Sequence, residues 1–101
     1  MRGLDDIEAA FSKVKASAEK SIAGDAASKD RSLEEIFELN NAIGKLARGR
    51  PDAMQRMKEL QLYVNVVTVG LKHDREGDVR EGLALTERSI EAMRKEFSHS
   101  P

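Results

Sequence analysis

Residues 60–71 read LQLYVNVVTVGL, an uncharged run in a chain of which 35% is Asp, Glu, Lys or Arg. A run this apolar has to be covered, either by the chain's own core or by another copy or a partner. Met57, Leu60, Val64, Val67 and Leu71 recur at 3-4-3-4 spacing, the strongest coiled-coil-like stretch in the chain. Residues 63–69 are rich in β-branched side chains and also suit a strand. The flanks, however, are helix-forming. No other segment reads as a strand to pair with, and one strand alone is not stable. The spacing therefore predicts a helix over 53–73.

Three further helices follow from period and punctuation. Leu4, Ile7, Phe11 and Val14 lie at 3-4-3 spacing on one face of a helix over 4–22, thinning to Ala18 and Ile22. Residues 24–31 read as a polar linker. Ser32-Leu-Glu-Glu35 fits a capping box and opens a helix over 33–48. Its stripe is Ile36, Leu39, Ile43 and Leu46, with Leu33 and Phe37 widening the face. Gly49, free to turn left-handed, and Pro51 end it. Asp52 can cap the third helix, with Gln55 three residues later. The apolar phase breaks at residues 73–78, where Gly77 and Asp78 signal a turn. Asp78-Val-Arg-Glu81 offers a second capping box. The fourth helix then covers 79–97, with Leu83, Ile90, Met93 and Phe97 inward, and residues 98–101 form a disordered tail. There is no internal repeat. The expectation is an all-α protein of three or four helices, one domain over 1–101, built as a helical hairpin extended into a bundle.

Size and charge narrow the function. A chain of 101 residues buries a modest core, roughly two-thirds of its unfolded surface. With no Trp and few other aromatics, that core is aliphatic. The net charge of −1 argues against a strong field for nucleic acid or anionic membrane. Without cysteine, disulfides and cysteine-based zinc sites are excluded. The uncharged run falls well short of the ~18–20 residues a transmembrane helix needs. Arg2 is followed by Asp5, Asp6 and Glu8, unlike a cleavable signal peptide. The final compartment is left open: the expectation is a protein cytoplasmic before assembly that, if exported, leaves by a route needing no such signal.

Catalytic and metal-binding patterns are weak. His73 and His99 fall in a turn and a tail, beside no Ser nucleophile in a recognisable motif. Asp74, Glu76 and Asp78 alternate next to Gly77, but counting an EF-hand loop from Asp74 puts Val79 and Leu85 where Gly and Glu belong. Lys45, Arg48, Arg50, Arg56 and Lys58 are locally basic without interleaved aromatics for base stacking. They read as helix-end cations flanking a turn. No catalytic residue, cofactor or metal ligand is assigned.

The run itself is the one strong candidate. Its plain reading is the central helix of a bundle. Its functional reading is an assembly surface, since a glycine within a helix, here Gly70, costs about 0.8–1 kcal/mol relative to Ala and is often kept where backbones approach closely. Residues 54–70, MQRMKELQLYVNVVTVG, resemble the C-terminal half of bacterial type III secretion inner-rod and needle-type subunits. Val66, Thr68 and Gly70 match a Val-x-Thr-x-Gly motif of one inner-rod branch. Residues 6–15 resemble the upstream helix of some rod proteins. This chain differs in the charged helix that follows the motif. The resemblance implies export without a cleaved signal, partners of the same kind, and no catalysis.

The sequence thus points to a non-enzymatic helical assembly protein, at its sharpest an inner-rod or needle-like subunit. Leu60, Val64, Val67 and Leu71 would pack between subunits, and Val66, Thr68 and Gly70 would make the close contact. An alternative is a chaperone or adaptor gripping a partner helix through Leu4, Ile7, Phe11 and Val14. A third reading is a regulatory bundle whose basic turn touches nucleic acid, disfavoured by the neutral charge balance.

Overall fold

A computed structural model of the chain describes residues 2–98. They form four α-helices and one 3-10 turn: α1 (Arg2–Ile22), α2 (Ala26–Gly49), the turn Pro51–Ala53, α3 (Met54–Lys72) and α4 (Glu76–Ser98). The β-branched segment of α3 is helical throughout, and a turn at residues 73–75 separates α3 from α4. Of the expected tail at 98–101, Ser98 instead ends α4, and residues 99–101, with His99, lie outside the described residues.

Every interhelix connection is short, so consecutive helices run antiparallel. The result is a rod of 45 × 20 × 17 Å. α1 packs mainly on α2, and α3 mainly on α4. The two hairpins meet chiefly along α2 and α3, while the α1–α4 seam is thin. Each helix buries the stripe its period foretold. The core takes Leu4, Ile7, Phe11 and Val14 from α1, and Ile36, Leu39, Ile43 and Leu46 from α2. α3 adds Met57, Leu60, Val64, Val67 and Leu71, and α4 adds Val79, Leu83, Ile90 and Met93. Phe97 is half-buried against this core, with the Arg50 guanidinium 5.2 Å from its ring centroid.

Both hairpin turns use the same backbone solution. At the end of α1, Gly24 has φ +112°. Its N–H donates to Ser21 O and the Asp25 N–H to Lys20 O, the Schellman pattern that satisfies otherwise orphaned carbonyls. At the end of α3, Asp74 has φ 54°, the Asp74 N–H reaches Leu71 O, and the Arg75 N–H donates to Gly70 O at 2.8 Å. The Lys29 ammonium then ties the two turns together through Asp74 Oδ1 at 3.0 Å.

Several helix boundaries differ from the sequence reading. α2 begins at Ala26, not after Ser32. Asp25 caps it: the Ala27 N–H donates to Asp25 Oδ1 at 3.2 Å and the Ser28 hydroxyl to Oδ2 at 2.8 Å. Residues 26–31 are therefore helix, and Ser32 lies fully buried inside it with its Oγ unpartnered. The expected capping box does not form. The stretch looked like a linker because its buried residue, Ser28, is polar and small. Gly49 ends α2 without a positive φ. Asp52 turns back to the Arg50 guanidinium, with contacts of 2.9 and 2.6 Å, so it does not cap α3, whose N-cap position is Ala53. α4 starts at Glu76, which places Asp78 inside the first turn instead of at its cap. Phe37 is 69% exposed and does not widen the core face of α2.

Gly70 and Gly82 set the spacing of the second hairpin. A Cβ on Gly70 would stand 2.9 Å from the Val79 backbone nitrogen and 3.2 Å from Arg75 O. One on Gly82 would stand 2.9 Å from the Val67 nitrogen and 3.2 Å from Tyr63 O. The close backbone approach that Gly70 suggested is real, and it is made to α4 of the same chain.

Candidate interaction surface

The face where α2 meets α3 mixes apolar and uncharged polar residues, with a single lysine, Lys72, among them. A shallow groove runs along it, lined by Leu33, Ile36, Phe37 and Asn40 of α2 and by Gln61, Asn65, Thr68 and Lys72 of α3. Phe37 stands on the α2 rim. On α3, Leu62 and Val69 are the i−3 and i+4 neighbours of Asn65 and so share its side of the helix. They are 62% and 38% exposed. The Thr68 hydroxyl donates back to Val64 O at 3.1 Å, which satisfies it locally.

This arrangement divides the residues singled out in the sequence. Leu60, Val64, Val67, Gly70 and Leu71 are buried, their faces taken by the chain's own core. Leu4, Ile7, Phe11 and Val14 are buried in the same core, so no open seam is left along α1. Val66 and Thr68 remain half-exposed. Sequence reasoning passed over Leu62 and Val69 as exposed positions and set Phe37 on the core face of α2. A helical wheel carries the signal: Phe37 follows Ile36 by one residue, which rotates it about 100° off the stripe, and Leu62 lies two residues beyond Leu60. Leu62 and Val69 belong to the outer side of a run whose composition is apolar on every side, and Phe37 belongs outside the stripe it was expected to widen.

Several of the charged groups elsewhere are paired. Asp74, Glu76 and Asp78 face Lys29, Arg80 and Arg75. Among the described residues, no group of three or more His, Asp or Glu could hold a metal ion. Of the basic stretch, Arg50 meets Asp52 and Arg56 meets Glu59 and Glu96. Across the α1–α4 seam, Lys15 pairs with Glu87 at 3.1 Å and Arg94 with Glu8, over Phe11 and Ile90. The Glu87 carboxylate accepts a hydrogen bond from Lys15 and raises its pKa above the ordinary lysine value. The Ser28 hydroxyl and the helix N–H groups hold the Asp25 carboxyl below its ordinary value. No helix of the described residues is long and apolar enough to cross a membrane.

No family model, no curated protein and no solved structure matches this chain.

Proposed function

We propose that this is a non-enzymatic helical interaction protein that docks another helix on its α2–α3 face. One observation carries the reading. In a densely charged chain, Phe37 stands exposed on the rim of a groove also lined by Asn40, Gln61, Asn65, Thr68 and Lys72, and Leu62 and Val69 are exposed on the adjoining outer side of α3. Covering a Phe ring is worth about 1.5–3 kcal/mol, and an aromatic on a groove rim is a typical anchor for a partner. The amides beside it supply hydrogen bonds without the desolvation cost of charges. An inner-rod-like subunit is the sharpest version of this role. Supporting it are the resemblance over residues 54–70 and the half-exposed positions of Val66 and Thr68 on α3.

The test is site-specific photo-crosslinking in the cell that expresses the protein. A photoreactive residue at 37 or 62 should give discrete protein adducts, whereas one at Glu91 on α4 should give few. Equal labelling at all three positions, or none at 37 and 62, overturns the proposal.

A further inference from the structure

The outer side of α2 carries a second stripe: Asp30, Glu34, Phe37, Asn41, Gly44 and Arg48. Its 4-3-4-3-4 spacing is that of a coiled-coil seam, yet nothing in the bundle covers it. All of these residues are exposed except Gly44, which is half-buried. One end is acidic, the middle aromatic, the other end basic, with Lys45 beside Arg48. Among the described residues Asp30, Glu34, Lys45 and Arg48 make no ion pair. On this chain an exposed Phe is thus bracketed by unused charges of opposite sign.

The stripe is also a positional palindrome. Turned end for end about the point between Phe37 and Asn41, it lays Asp30 on Arg48, Glu34 on Gly44 with Lys45 alongside, and Phe37 on Asn41. We infer that the occupant of this face is a second copy of the chain, its α2 antiparallel to the first across a two-fold axis. The inference rests on the interaction reading above through Phe37, the one residue that the groove rim and this stripe share. Opposite charges then meet at both ends of the pair, and each Phe37 ring lies beside the partner's Asn41 and Gly44. Gly44 leaves room for it, since a Cβ there would touch only the Arg48 guanidinium. A parallel pairing instead sets Asp30 on Asp30 and Arg48 on Arg48, and like charges across an interface are strongly disfavoured. Isologous two-fold pairing is the commonest closed arrangement of identical subunits.

Charge reversal tests both the partner and its orientation. One variant carries Asp30→Lys with Glu34→Lys, the other Lys45→Glu with Arg48→Glu. All four sites are exposed, and circular dichroism confirms that each variant keeps its helix content. In sedimentation velocity at low salt, the unaltered chain should dimerise with rising concentration. Each variant alone should dimerise at least about tenfold more weakly. An equimolar mixture should recover dimer, because every reversed charge then faces its complement. A chain that stays monomeric at high concentration overturns the second-copy inference. So does a mixture that fails to associate while the unaltered chain dimerises. If the chain is monomeric and position 37 still crosslinks to a different protein, the docking face stands and only its occupant is wrong. If neither association nor crosslinks are found, both fall.

Discussion

The chain leaves α1 through Gly24 and leaves α3 through Asp74, and at both places the same pair of backbone hydrogen bonds closes the helix. The two hairpins differ in what they pay for that turn and in how closely their helices then pack. Glycine takes a positive φ freely, whereas an L-residue there is strained by roughly 1–2 kcal/mol. Asp74 offsets part of this by accepting from Lys29 of the other hairpin. In the first hairpin the helices are spaced near the turn by Ser17, Ala18, Ser28 and Ser32, all buried. In the second, Gly70 and Gly82 let backbone meet backbone. The first hairpin therefore has side chains on both helices that can adjust, whereas at its closest points the second has glycine on one side and the backbone and side chain of Val79 or Val67 on the other. The lesson is that one turn geometry tolerates two packing solutions of different fragility.

The sharpest way to break that difference is Gly82→Ala. The new Cβ would lie 2.6 Å from Val67 Cγ2 and 2.9 Å from the Val67 nitrogen. Overpacking costs about 1–3 kcal/mol, more than the ~0.5–1 kcal/mol that alanine returns in a helix interior. Urea unfolding should show a net loss of about 1–2 kcal/mol; an unchanged midpoint would mean that α3 and α4 slide apart freely. A smaller effect belongs to the first hairpin. Asp25→Ala removes the α2 cap and should cost about 1 kcal/mol. Because the folded state lowers the Asp25 pKa, its contribution is present above the ordinary carboxylate value of about 3.9. It is lost as pH falls through that value toward the lower folded one. Thermal melts of Asp25→Ala should accordingly show a shallower acid decline than the unaltered chain, and parallel declines would count against the cap. The smallest expected change is Asp74→Gly, which removes the strain but also an exposed ion pair worth ~0–1 kcal/mol. A gain of a few tenths to about 1 kcal/mol in the melting curve would bring the second turn level with the first. A loss would show that the Lys29 tie outweighs the backbone strain.

Much of the bundle was legible because large aliphatic residues report their period directly. Ile36, Leu39, Ile43 and Leu46 mark α2 without ambiguity, and the flanks of residues 63–69 settle helix over strand. The start of α2 was not legible. Asp25 and Ser32 are both competent caps. What separates them is that Ser28 and Ser32 are buried in the bundle, and small polar residues carry no hydrophobic period. The proposed docking surface was hidden for a related reason. Residues 60–71 contain two faces, and composition sums over both.

The sequence alone determined that this chain is helical, that its uncharged run needs cover, and which stripe of each helix turns inward, since periodicity is a local property of side chains along a single helix. Only the tertiary structure decided where that cover comes from. Once the four helices pack, Leu60, Val64, Val67 and Leu71 are enclosed by the chain itself, while Phe37, Leu62 and Val69 are left on the surface. A helix has more apolar circumference than its neighbours in a four-membered bundle can reach, and which residues fall outside depends on how those neighbours are placed.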